Sequence, residues 1–178
     1  MAIWIRVVGT SSLADVTREE LRAAIAERLG KIASAYGEDA SGVAARISLA
    51  PPADAPSGPE LGVLELRWGG EGTRPIRLER WTGPRAEEEV SELAEALEEY
   101  LENEDADEGA DEIAAVLERA VDTVGIELGA SHTEGVGWPL ALSAALFLAE
   151  RSDGVVRADG EGWLAPEDGE LRHVLEAD

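Results

Sequence analysis

Two stretches of alternating polarity, Leu61–Trp68 and Arg74–Trp81, flank the sequence Gly69-Gly70-Glu71-Gly72. Leu64, Leu66 and Trp68 alternate with Glu65 and Arg67, and Ile76 and Leu78 alternate with Arg77 and Glu79. A two-residue period is the mark of a strand with one buried face. The glycines between them supply the positive φ angles of a hairpin loop. An isolated hairpin cannot hold itself together in water, so the rest of the chain must extend the sheet and cover it. Pro75 has no backbone donor, which predicts that one end of the second strand lies at a sheet edge.

The flanking sequence supplies those elements. Ile3–Val8 is β-branched and closed by Gly9, the pattern of a strand. Thr17-Arg18-Glu19-Glu20 is a capping box, and Leu21, Ile25, Leu29, Ile32 and Tyr36 follow at helical spacing up to Gly37. Val43–Leu49 alternates again and predicts a strand. The proline-rich run Pro51–Pro59 predicts an exposed loop. Pro84 suits the first turn of a second helix, with Val90, Leu93, Leu97, Tyr100 and Leu101 on its apolar face. Asn103–Asp111 reads as an acidic connector. Ile113, Val116, Leu117, Ala120, Val121 and Val124 predict a third helix closed by Gly125, with Ile126–Leu128 as a short strand after it. Gly129–Gly137 reads as a polar loop around His132. Pro139–Ala149 is apolar nearly all round and predicts a buried helix. Val155–Ala158 and Trp163-Leu164 predict a small hairpin, and the last dozen residues a frayed end.

The order is β-α-β-β-β-α followed by α-α-β-β. Segregated strands and helices predict an α+β fold, an antiparallel sheet with helices packed mainly on one face. Residues 1–102 read as a sheet lobe, 103–111 as the connector, and 112–178 as a helical lobe with a C-terminal hairpin. The second part is small to stand alone, so the two are expected to pack as one domain.

Charge narrows the function classes. Of 178 residues, 38 are acidic and 15 basic, a formal net charge of −23. A field of that sign opposes nucleic acid and anionic membrane surfaces, which need clustered Lys and Arg. No apolar run reaches the roughly 20 residues of a membrane span. Met1–Gly9 lacks the basic region and cleavage site of a secretory leader, so a cytoplasmic location is expected. Cysteine is absent, which excludes disulfides, thiol catalysis and thiolate metal sites.

Catalytic templates fail in turn. Gly129-Ala130-Ser131-His132 lacks the closing glycine of a nucleophile elbow, and a histidine adjacent to its serine is badly placed as its base. His132 therefore reads as a surface loop residue. Gly135-Val136-Gly137 reads as a tight turn that positions Trp138. No phosphate-binding loop is present. Asn103-x-Asp105-x-Asp107 begins like a calcium loop, but Glu108 stands at the glycine position and Ala114 at the bidentate glutamate. The expectation is a non-enzymatic protein with no metal site and no cofactor.

One segment rises above the background. From Ala86 to Glu112 there are fourteen Asp and Glu and no Lys or Arg. Glu88, Glu92, Glu95, Glu99 and Glu102 recur on one face of the second helix, away from its apolar stripe. Like charges at this spacing cost a helix roughly 0.2–0.5 kcal/mol per pair, and no lysine here offsets them. Such a ridge suits a basic protein partner steered in by charge, with Trp81 and Trp163 as aromatic anchors if they are exposed. The function expected is an acidic binding protein of the immunity or antitoxin type, which blocks a cationic toxin. The alternative is an accessory subunit of a larger bacterial assembly, held through the Trp-edged hairpin Leu61–Trp81 or the Pro139–Ala149 helix. Either is compatible with a homodimer.

Overall fold

The computed structural model describes residues 2–55, 61–70, 72–103 and 108–176. Parts of the expected proline-rich loop (56–60), of the first hairpin loop (71), and of the acidic connector with its calcium-like spacing (104–107) lie outside them.

Among the described residues, eight strands join one antiparallel sheet: β1 (Ala2–Gly9), β2 (Ser48–Ala50), β3 (Val63–Arg67), β4 (Ile76–Trp81), β5 (Asp122–Gly129), β6 (Gly154–Ala158), β7 (Gly162–Glu167) and β8 (Glu170–Leu175). Their order across the sheet is β2-β3-β4-β5-β1-β6-β7-β8. The first strand thus lies in the middle, with Ala2 opposite Gly129 on one side and Gly9 opposite Gly154 on the other.

The antiparallel α+β class matches the sequence reading, but the helices are shared between the faces. Helices α1 (Arg18–Ala35) and α4 (Gly137–Ser152) cover the face presenting Ile5, Val7, Leu64, Leu66, Ile76, Leu78, Val124, Ile126 and Leu128. Helices α2 (Pro84–Asn103) and α3 (Glu108–Glu118) cover the other, where Leu93, Leu97, Ile113 and Leu117 meet Val8, Val155, Trp163, Ala165 and Leu175. The capping box forms as read: Thr17 Oγ1 accepts from the Glu20 amide, and the Glu20 carboxylate accepts from the Thr17 amide. Helix α4 is buried along nearly its whole length, as its all-round apolar sequence requires.

Four local readings are corrected. Residues 44–46 form a 3-10 turn, and only Ser48–Ala50 pair as a strand. Helix α3 stops at Glu118, so Val121 projects into solvent and Val124 belongs to β5, an eight-residue strand. The end of the chain through Leu175 pairs with β7 as an edge strand. Pro75 immediately precedes a strand flanked on both sides, by β3 and by β5, so its missing donor is accommodated outside the ladder.

Candidate protein-binding face

Helix α2 has three surfaces. Leu93 and Leu97 dock into the core beneath it. Near its start Glu89 is paired with Arg6 of β1, and the guanidinium of Arg85 lies 4.5 Å from the Trp81 ring centroid. These contacts fix which way the helix is turned. Glu88, Glu92, Glu95, Glu99 and Glu102 then all face solvent, as their spacing predicts. Glu88, Glu92, Glu95 and Glu102 form no ion pair among the described residues. At those four positions the charge is met by solvent among the described residues.

The two tryptophans expected as anchors do not belong to this surface. Trp81 and Trp163 are each only 5 % exposed. Trp81 is indeed out of phase with Ile76 and Leu78, but the opposite face is roofed by α2 rather than open to water. Its indole rests on Gly125 of the neighbouring strand, where a Cβ would come within 2.3 Å of the ring. Its ring centroid is 5.9 Å from that of Trp4. Trp163 fills the second core with Val155, Ala165 and Leu175, and Arg157 lies over its ring. Gly162 opens the strand that carries Trp163, and α3 helps cover that strand's face.

Beside the ridge, a groove of about 530 Å³ opens between α2, α3 and the start of β5. Val90, Ala94, Leu97, Leu101, Ala114 and Leu117 form its apolar walls, and Glu87, Glu98 and Glu118 are exposed along its rim. Among the described residues, no basic side chain lines it. On the helix surface, Glu87, Ser91 and Glu98 fall between the docked leucines and the ridge, so the groove and the ridge adjoin. No sequence pattern marks this groove, because its walls come from separate elements.

Two further clusters were not legible in the sequence. At the end of α1, Tyr36 donates a hydrogen bond to Glu161 at 3.1 Å, and His173 Nε2 lies 3.4 Å from the same carboxylate. Burial, and then the nearby Glu161 charge, push the Tyr36 phenol up to about 12. A phenol that keeps its proton at neutral pH is a donor here and no base. The adjoining cavity, about 130 Å³ and lined by Ile32, Leu142, Leu164 and Leu171 among others, is small for a substrate. The cluster ties α1 to the β6–β7 turn and to β8.

His132 is buried rather than at the surface. Its Nδ1 accepts from the Gly129 amide at 3.0 Å, so the proton sits on Nε2, which donates to the Arg74 carbonyl at 2.8 Å. Both ring nitrogens are consumed by backbone, and Ser131 beside it is exposed. No helix is long and apolar enough to cross a membrane, and no cluster of three potential metal ligands occurs among the described residues. No family model matches the chain, and no curated protein or solved structure shows significant similarity to it.

Proposed function

We propose that this chain is a non-catalytic acidic binding protein that engages a basic protein through the outer face of α2. Its behaviour would be that of an immunity or antitoxin-type inhibitor acting in the cytoplasm. The observation that carries this reading is the row Glu88, Glu92, Glu95, Glu99 and Glu102, exposed together in a segment without Lys or Arg from Ala86 to Glu112. A concentrated field raises the encounter rate with a cationic surface and rejects anionic ones. Inhibition would follow from occlusion: the bound partner's basic surface, which a nuclease needs for its own substrate, is covered.

The assembly-subunit alternative draws less support. Of the apolar surfaces it would use, the α4 helix and Trp81 of the Leu61–Trp81 hairpin are spent inside this chain's own core, and Trp68 is half-buried.

The test begins with an affinity capture at low and at high salt to obtain the partner, followed by stopped-flow association with the purified pair. The triple variant E88K/E92K/E95K is expected to slow association by about tenfold or more at low salt and to flatten its salt dependence. An association rate indifferent to both would remove the ridge from the binding surface.

A further inference from the structure

The groove beside the ridge carries a feature that its role in packing does not explain. Thr123 lines it and is 1 % exposed, yet its hydroxyl has no hydrogen-bond partner among the described residues. Val124 faces the α1/α4 core. By strand alternation, the Thr123 side chain therefore projects to the α2/α3 side, into the floor of the groove. Buried hydroxyls are nearly always paired, and one left unpaired in a cleft suggests a partner group that arrives from outside.

The surroundings specify what that group is. Thr123 pairs across the sheet with Trp81, the last residue before the turn into α2. This end of the groove therefore gathers the first turns of α2, with Glu87, and the last turn of α3, with Glu118. Both are carboxylates, and the Thr123 oxygen can accept, so a cationic donor is the group this rim suits; the Trp81 indole N–H across the strand pair, unpartnered among the described residues, is itself a donor and is not served by it. The walls nearest them, Val90 and Leu117, are apolar and suit an aliphatic stem. Lysine and arginine both have such a stem; three acceptors spread around one end of the groove, Glu87, Glu118 and Thr123, favour arginine, whose fork of five N–H donors can meet separated acceptors at once.

We infer that the groove receives an arginine side chain of the basic partner. Its guanidinium lies between Glu87 and Glu118 over the Thr123 hydroxyl, and its stem runs along Val90 and Leu117. This rests on the binding reading above and deepens it: the ridge steers, and the groove selects. A groove of this volume lies within the range of specific ligand pockets, roughly 300–1,000 Å³.

The experiment is an amide-resolved NMR titration of the full chain at low salt with hexa-arginine, and with hexa-citrulline as its uncharged isostere. Hexa-arginine should shift the amides of Val90, Glu118, Val121 and Thr123, and hexa-citrulline should leave them in place. Ala94→Trp, which fills the groove, should weaken hexa-arginine binding about tenfold or more, as expected when a charge-paired contact is lost. Thr123→Val, which removes only the hydroxyl, should weaken binding severalfold while the protein stays at least as stable. Shifts confined to Glu88, Glu92 and Glu95 would overturn the groove and leave the ridge reading standing. Equal binding by either variant, or equal effects of the citrulline peptide, would also overturn the arginine site. Absence of any binding by hexa-arginine would overturn both readings together.

Discussion

Arg80 grips Asp122 with two nitrogens: Nε lies 2.8 Å from Oδ1, and Nη2 lies 2.7 Å from Oδ2. The same carboxylate accepts the amide of Leu13 at 2.8 Å, and Asp122 is almost wholly buried. One side chain thus fastens β4, β5 and the segment between β1 and α1. Asp122→Ala takes a bidentate carboxylate away from a partly buried guanidinium and the side-chain acceptor away from the Leu13 amide. The expected loss is about 3–5 kcal/mol of stability, read from urea unfolding. A loss below about 1 kcal/mol would mean that water replaces the carboxylate at no great cost.

Gly125 is a contact residue for Trp81 by virtue of having no side chain. Gly125→Ala places a methyl carbon within 2.3 Å of the indole, so the ring must leave its seat. A destabilisation of about 1–3 kcal/mol is expected, together with altered tryptophan fluorescence in the folded protein. Fluorescence and midpoint both unchanged would show that the ring has room to slide.

His132 serves two backbone groups, accepting from the Gly129 amide and donating to the Arg74 carbonyl. His132→Ala exposes the Gly129 amide and the Arg74 carbonyl to an apolar surround beside Trp68. About 2 kcal/mol or more should be lost, given about 1–3 kcal/mol for each buried group left unsatisfied. Nitrogen-15 NMR of the wild type should report the tautomer protonated at Nε2. The other tautomer would contradict the acceptor role of Nδ1.

Alkaline stability should depend on Tyr36. Its phenol is raised from 10.0 to about 12 in the folded chain, so the folded state holds its proton more tightly than the unfolded state does. Its contribution is complete below pH 10 and is lost as pH rises through about 12. The phenol is only partly covered, and Tyr36 as a whole is 42 % exposed, so the effect is modest. The Tyr36 step in tyrosinate absorbance should come near pH 12, and Tyr36→Phe should remove that step. If the step that Tyr36→Phe removes lies near the ordinary phenol value instead, the Glu161 contact is contradicted.

Local signals were legible where one element obeys one rule. The Thr17–Glu20 box, the α4 run and the two alternating strands each carry their own period, and each appears as read. Legibility failed where two periods share residues. Ala120, Val121 and Val124 continue the helical spacing of Ile113 and Leu117, while Val124, Ile126 and Leu128 also alternate. The pairing of β5 with both β1 and β4 decides for the strand. The anchors Trp81 and Trp163 were misplaced because a single sequence does not show that a sheet has two roofs. The ridge on α2 was visible because it lies within one helix. The groove beside it was invisible because it exists only when α2, α3 and β5 meet.

The central position of β1 ties the two ends of the molecule together. Its neighbours on both sides, β5 and β6, begin more than a hundred residues later in the chain. During synthesis, β1 therefore waits with both hydrogen-bonding edges bare until most of the protein has emerged, a topology that folds slowly. A cut between α2 and α3 would give two pieces, neither holding a finished sheet. Each would present the edges the other needs, so the halves could restore the protein only by finding one another.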